Sequence, residues 1–151
     1  LLNNLSIVTR IGNLFAPILK GEVFDVIVSN PTSLPSLPDE EHDEYTRQNI
    51  DAGADGRKYI DPVITQAPEY LSKAGYLLIQ HSNFANIEKT LDMLDKVGFK
   101  VDQTNYEFPI GKTSRQRISY FLENLPANCH PFQRDGNWYQ RIAVFIAQAP
   151  K

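Results

Sequence analysis

Hydrophobic residues along the chain form short continuous runs that alternate with runs of helical spacing. The clearest continuous run extends from Phe24 to Ser29, and its consecutive β-branched residues are typical of a strand covered on both faces. Pro68 is expected to kink or restart the first helix, and Gly75 and Gly98 are expected to end the two helices. The predicted elements are strands at 6–10 and 24–29, a helix at 60–71, a strand at 76–80, a helix from 87 to Gly98, and strands at 99–106 and 138–147.

The alternation of predicted strands and helices indicates an α/β fold. The 151 residues suffice for a single domain, 1–151, which would bury roughly two thirds of the surface of the unfolded chain. Residues 32–55 are rich in proline and acidic residues, which predicts a loop or lid. A loop of that length beside a site is usually functional.

Residues 109–134 predict an inserted helical segment. Thr113 to Gln116 has the spacing of a capping box at its start, and apolar residues follow on one helical face. Lys112, Arg115 and Arg117 could bind a phosphate or an acidic partner, or lie on a solvated helix face, which is the commoner role of such a cluster. Asp135 to Asn137 then predicts a tight turn before the last strand.

Composition narrows the class of protein only a little. The net charge of −3 and the pI of about 5.6 give no electrostatic footprint for nucleic acid. With Cys129 as the sole cysteine, no disulfide can form within the chain. No apolar run has the length of a membrane span, so we expect no membrane partner and a cytoplasmic location.

The residues that follow the strand at 24–29 are the first candidates for a functional site. In open α/β sheets the ligand crevice lies beyond the carboxyl ends of the strands, and Asn30-Pro31 falls at that point. On these residues alone a simple turn is the commoner outcome, because Asn favours turns and proline restricts the residue before it.

Three segments in order change that balance: Gly12 to Phe15, Asn30-Pro31, and Gly75 to His81. Together they resemble the class I S-adenosylmethionine-dependent methyltransferases, in particular the small-domain group that includes the glutamine methyltransferases of peptide release factors. The resemblance covers about residues 1–107 well. It implies a Rossmann-like sheet that is mostly parallel, with an antiparallel carboxyl-terminal strand inserted between the fifth and sixth strands.

The same resemblance shows what the chain lacks. The glycine-rich loop that holds the methionine part of the cofactor is absent, as are the first two strands of the family sheet. Removing two strands would leave a gap on the order of 14 Å between the strands at 6–10 and 24–29. The chain is therefore a fragment of a longer polypeptide, or a second chain or homodimer partner completes the sheet, or the first strand pairs with the strand at 24–29.

The resemblance implies methyl transfer from S-adenosylmethionine, with a nitrogen atom as the expected acceptor in a protein, nucleic acid or small molecule. Thr32-Ser33 replaces the second proline and the aromatic residue of the family motif, and Asn13 replaces an aspartate, which weakens the assignment of glutamine as substrate and of the adenine contact. The implied roles are catalytic for Asn30 and Pro31, cofactor-binding for Asn13, Leu14 and Ser29, and substrate-binding for Thr32, Ser33 and His81.

A second class of function stays open, in which the chain is a non-catalytic methyltransferase-like remnant that binds proteins through the acidic loop and the inserted helix. The missing glycine-rich loop favours this alternative. For His81, a structural role is at least as well supported as substrate contact. The three histidines have no metal-ligand spacing, so we expect no metal site.

Overall fold

One sheet with helices packed on one of its faces forms the fold of the computed structural model, which describes residues 6–38, 44–45 and 50–150. The strands are β1 (Phe24–Ser29), β2 (Leu71–Ser82), β3 (Lys100–Pro109), β4 (Phe132–Arg134) and β5 (Asn137–Gln148). The helices are α1 (Ile60–Tyr70), α2 (Ile87–Val97), α3 (Lys112–Gln116) and α4 (Ile118–Asn124).

The strands lie in the order β1-β2-β5-β3, and the short β4 pairs with the start of β5. β1 and β2 are parallel, whereas β5 is antiparallel to both β2 and β3. β1, β2 and β3 therefore run in one direction and β5 in the other. This confirms the α/β prediction and the antiparallel last strand between its two neighbours.

Helices α1 and α2 cover one face of the sheet because each presents an apolar stripe to alternate residues of the central strands. Ile60, Ile64 and Leu94 from the helices are fully buried. The strand residues that pack against them are Leu77 and Ile79 of β2 and Ala143, Phe145 and Ala147 of β5. The main core therefore lies between this face and the two helices.

The opposite face of the sheet keeps large apolar side chains exposed in the described part of the chain. We call this surface the open face and define it by Val26, Val28, Tyr76, Tyr106, Phe108 and Ile146. Val28 is 74% exposed and Val26 is 51% exposed. β1 is also an edge strand, since β2 is its one partner among the described residues.

The predicted strand at 6–10 is wrong. Residues 6–10 have no strand structure and are exposed, and Arg10 instead forms an ion pair with Glu22. The expectation that this segment could move to pair with β1 fails with it. A short apolar run of this kind needs a neighbouring strand to supply backbone partners.

The structure differs from the sequence predictions in three elements: the first helix, the inserted segment and β4. α1 contains Pro68 and ends at Tyr70, with β2 starting at the next residue rather than after Gly75. The inserted segment forms two short helices that meet at Arg117, and α3 begins after Gly111 without a side-chain cap, so the predicted capping box is wrong. β4 was not predicted, whereas Gly98 ends α2 with a φ of 93°, as expected.

The covered and open faces of β5 should respond differently to truncation. Phe145→Ala removes a fully buried ring and should lower the free energy of unfolding by about 3–5 kcal/mol. Ile146→Ala on the open face, where the side chain is 43% exposed, should cost less than about 1.5 kcal/mol. Urea unfolding of both variants measures the difference, and equal losses would contradict the assignment of faces.

Candidate active site at the carboxyl ends of the first two strands

A cavity of about 280 Å³ lies where β1 and β2 end. Residues 30–34 form one wall and residues 80–82 form another, with Phe84 beside them. Ser114 from α3 and Gln140 and Ile142 from β5 complete the lining. The inserted helical segment and the last strand thus contribute to the same cavity as the Asn30-Pro31 motif.

Asn30 is placed in this cavity by the parallel pairing of β1 with β2. Ser29 is in register with Ile79, so Asn30 lies beside Gln80, the next residue of β2. The Nε2 atom of Gln80 donates to Oδ1 of Asn30 at 3.4 Å. The side chain of Asn30 is therefore at the cavity wall and has a polar partner.

The two ends of the predicted lid meet next to the cavity and form what we call the lid stem, Thr32–Ser36 with Ile50–Gly53. The backbone N–H of Ser36 donates to the carbonyl of Gly53 at 3.0 Å, and the Ser36 hydroxyl donates to Asp51 Oδ1 at 2.9 Å. Hydrogen bonds from Lys58 and then from the backbone of Gly53 lower the pKa of Asp51 to about 2. Residues 39–43 and 46–49 of the predicted lid lie outside the described residues.

Two further contacts hold the wall formed by residues 30–34. Arg117, which is buried, donates from Nη1 to the carbonyl of Pro35 at 2.7 Å. Gly56 approaches so closely that an added Cβ would lie 2.4 Å from the carbonyl oxygen of Ser33, and its φ is +73°. Arg117 is therefore buried and does not lie on a solvated helix face, and this contact between distant segments had no sequence signal.

Arg57 is a second buried arginine that the sequence did not single out. Its guanidinium donates to the carbonyls of Ala85 and Asn86, to the Thr90 hydroxyl, and to Asp61. The side chain is only 2% exposed, so the carbonyls and the Asp61 carboxylate replace the water that its charge has lost. Arg57 thereby joins the loop after the lid stem to the start of α2.

His81 is buried under the cavity and has partners at both ring nitrogens. Nδ1 donates to the carbonyl of Ser82 at 2.8 Å, and Nε2 accepts from the hydroxyl of Thr90 at 2.8 Å. Burial lowers the pKa of His81 to about 4, with the nearby Arg57 charge adding to the effect. These contacts favour the structural role over contact with a substrate.

The structure brings together five of the residues singled out from the sequence and separates two others. Asn30, Pro31, Thr32, Ser33 and His81 all line the cavity. Ser29 lies next to it and, with Asn30, lines a neighbouring cavity of about 180 Å³ on the open face.

Asn13 and Leu14, which were expected to bind the cofactor, do not line the cavity that contains Asn30. Leu14 lines a separate cavity with Phe24, the first residue of β1, whereas Asn30 follows the last. Asn13 is exposed, and its carbonyl accepts from Ala16 in a turn. The assignment of Asn13 and Leu14 to the cofactor stays a prediction. Phe15, next to them, stacks on Tyr70 with 4.6 Å between ring centroids and so holds the turn against the end of α1.

Two other classes of site find no support in the structure. Among the described residues, no group of three or more His, Cys, Asp or Glu side chains is arranged to hold a metal ion. Over the same ranges, no helix combines the length and apolar character needed to cross a membrane.

No family model matches the chain. It is 40% identical over 79 residues to a provisionally named protein N5-glutamine methyltransferase of Methanocaldococcus jannaschii, which covers 52% of this chain and 40% of that protein. It is 34% identical over 93 residues to the release factor glutamine methyltransferase of Geobacter sulfurreducens, which covers 58% of this chain and 32% of that protein. The aligned part thus spans less than half the length of either curated relative.

A solved structure of a provisionally assigned methyltransferase from Bacillus halodurans gives a TM-score of 0.47 at 14% identity, over 93% of this chain and 70% of that one.

The sequence similarity supports a class I, Rossmann-like methyltransferase domain as the class of protein that this chain resembles, and the strand order agrees with that class. Within that class it is related to proteins named as glutamine methyltransferases, which confirms the resemblance recognised from the motifs.

The burial of neutral His81 should make folding pH-dependent. Because its folded pKa of about 4 lies below the usual 6.5, its contribution to stability is complete above pH 6.5 and is lost as the pH falls through 4. We expect the free energy of unfolding to fall by about 3 kcal/mol between pH 7 and pH 4 on account of His81. Urea unfolding at both values should show a smaller loss for His81→Gln, and identical losses would contradict a buried neutral histidine.

Proposed function

We propose that this chain is the carboxyl-terminal part of an S-adenosylmethionine-dependent methyltransferase that methylates a nitrogen atom. The observation that carries the proposal is the position of Asn30, which follows β1 and lines a cavity at the carboxyl ends of two parallel strands. The names of the two curated relatives support a carboxamide nitrogen of a protein glutamine as the acceptor.

The chain's own residues provide positioning of the acceptor. An Asn carbonyl and a backbone carbonyl can each accept a hydrogen bond from one N–H of an amide or amine, which aims the nitrogen lone pair. Methyl transfer by in-line displacement depends mainly on such alignment, with reacting atoms about 3–3.5 Å apart. Asn30 and the carbonyl of Pro31 are the groups we assign to this role.

The departures from the family motif change the wall of the cavity. The Thr32 hydroxyl donates to the carbonyl of Ile50 at 3.3 Å, so it belongs to the lid stem. Phe84 lines the cavity from another element and stacks on Phe121, with 4.4 Å between ring centroids. Phe84 is only 1% exposed, so it supports the cavity wall from beneath and does not replace the aromatic residue that the motif has lost.

The residues expected to bind the cofactor are not gathered at one cavity in the described part of the chain. Asn13 and Leu14 lie away from Asn30, and the cavity beside Ser29 holds only about 180 Å³. The proposed role of this chain in methyl transfer is therefore confined to the residues that position the acceptor. The non-catalytic alternative draws its support from this separation.

We further propose that a segment with α/β structure covers the open face and adds a strand to the free edge of β1. Parallel strands are normally covered on both faces, yet Val26 and Val28 are exposed. Both relatives contain much sequence beyond the aligned part, which could supply such a segment in the same polypeptide. A second chain or a homodimer is the alternative source.

Titration with S-adenosylhomocysteine, together with the measured mass of the folded species, tests whether binding requires a segment that covers the open face. We expect no binding to the monomeric 151-residue chain, and binding in a longer polypeptide or assembly that covers β1. In that species Val28→Lys should abolish binding, because a charge on the open face opposes its burial. Ile11→Lys, at a side chain that is 97% exposed, is the control and should bind normally. Absence of binding in every species would support the non-catalytic remnant.

Replacement of Asn30 tests the catalytic assignment in the species that binds cofactor. Asn30→Ala should reduce methyl transfer by about 100-fold or more, because a positioned polar contact to the reacting group is lost. Its free energy of unfolding should stay within about 0.5 kcal/mol of the parent value, since the residue is exposed. Transfer of labelled methyl groups gives the rate, with Asn105→Ala on β3 as the control. An unchanged rate in Asn30→Ala would remove Asn30 from the mechanism.

A further inference from the structure

Asn30 and Gln80 form a pair of carboxamide side chains at the ends of neighbouring parallel strands. The register of Ser29 with Ile79 places them side by side, and Gln80 Nε2 lies 3.4 Å from Asn30 Oδ1. Both residues line the cavity of about 280 Å³ and the smaller one on the open face. The sequence motifs did not identify Gln80 as a site residue.

A carboxamide carries one acceptor oxygen and one NH₂ donor, so two of them can pair with either polarity. When Gln80 donates, one lone pair of Asn30 Oδ1 is engaged and the NH₂ group of Asn30 is left for the cavity. When both amides turn over, Asn30 donates to Gln80 Oε1 and its own oxygen is left for the cavity. The polarity of the pair therefore decides whether Asn30 offers a donor or an acceptor.

We propose that Gln80 is a positioning residue that sets the polarity of the Asn30 carboxamide. An acceptor group that carries N–H is bound when Gln80 accepts from Asn30, because the Asn30 oxygen then faces the incoming N–H. This inference rests on the proposed function, from which it takes the N–H-bearing acceptor. It adds a residue whose role is exerted through Asn30.

Two substitutions of Gln80 fix the pair in opposite polarities. Gln80→Glu can only accept, so it holds the NH₂ group of Asn30 and leaves the oxygen to the cavity. Gln80→Lys can only donate, so it holds the oxygen and leaves the NH₂ group. Gln80 is exposed, and both replacements keep a long polar side chain, so the fold should tolerate each of them.

The first readout is the side-chain NH₂ resonance of Asn30 in the 151-residue chain, identified by its disappearance in Asn30→Asp. Its protons should exchange with solvent more slowly in Gln80→Glu than in Gln80→Lys, because only the glutamate accepts from them. Equal exchange rates and unchanged shifts in the two variants would overturn the proposal. If Gln80 served only the stability of the fold, the exchange rate of the Asn30 amide protons would not depend on whether residue 80 accepts or donates the hydrogen bond.

The second readout is the affinity for N-acetylglutamine methylamide, compared with the same compound dimethylated on its side-chain nitrogen. Gln80→Glu should bind the first probe at least about fivefold more tightly than Gln80→Lys, as expected for one hydrogen bond. The dimethylated probe lacks side-chain N–H and should not separate the variants. Equal affinities for the first probe would overturn the acceptor half of the proposal.

The two readouts separate this inference from the proposed function. If exchange is slower in Gln80→Glu as expected but neither probe binds the species that binds S-adenosylhomocysteine, the polarity of the pair stands and the nitrogen acceptor is contradicted. If the parent chain binds the first probe but exchange does not respond to Gln80, the acceptor site stands and the positioning role is overturned.

Discussion

The parallel pairing of β1 with β2 is the constraint on which the candidate site depends. It places the residue that follows β1 beside the carboxyl-terminal part of β2, and so brings Asn30 next to Gln80 across 50 positions of sequence. A slip of one residue would turn the side chain of Asn30 to the other face of the sheet. Burial of Leu77 and Ile79 against the helices on the covered face opposes such a slip.

The loops around the site are held by buried charges and a close backbone contact. Arg57 joins the loop after the lid stem to the start of α2, and Arg117 fixes Pro35. Arg57 donates to carbonyls, a hydroxyl and a carboxylate, and Arg117 donates to a carbonyl, which offsets the cost of burying each charge. Thr90 connects Arg57 to His81 by accepting from the first and donating to the second. The cavity wall is therefore supported by polar contacts that sequence neighbours do not provide.

The sequence was sufficient to predict the elements that have strong periodicity or clear end signals. β1, α2 with its terminal Gly98, and the turn at Asp135 with Gly136 before β5 all agree with the predictions. The strand at 6–10 and the end of α1 could not be predicted correctly. In the first case no neighbouring strand is available among the described residues, and in the second the helix ends at Tyr70 and passes directly into β2, before the Gly75 that was expected to end it.

The candidate site was likewise predicted only where a local sequence signal exists. Asn30 to Ser33 follow a recognisable strand and could be found from the motif, whereas Gln80, Phe84, Ser114 and Gln140 reach the cavity through tertiary packing. Arg57 and Arg117 look like surface charges in the sequence because their burial depends on carbonyls far along the chain. Asn13 and Leu14 were assigned from the resemblance alone, and the structure places them away from Asn30.

The open face connects the fold to the question of activity. Val26 and Val28 of this face lie on β1, which leads to Asn30, and Tyr76 lies on β2, which carries Gln80, so a segment that covered them would also approach the site. The pairing of β1 with β2 is the foundation of both the site and this surface. The most direct test is an NMR measurement of cross-strand nuclear Overhauser effects in the 151-residue chain. The account predicts contacts of Asn30 side-chain amide protons with Gln80, whereas contacts with Ile79 or His81 in their place would contradict it.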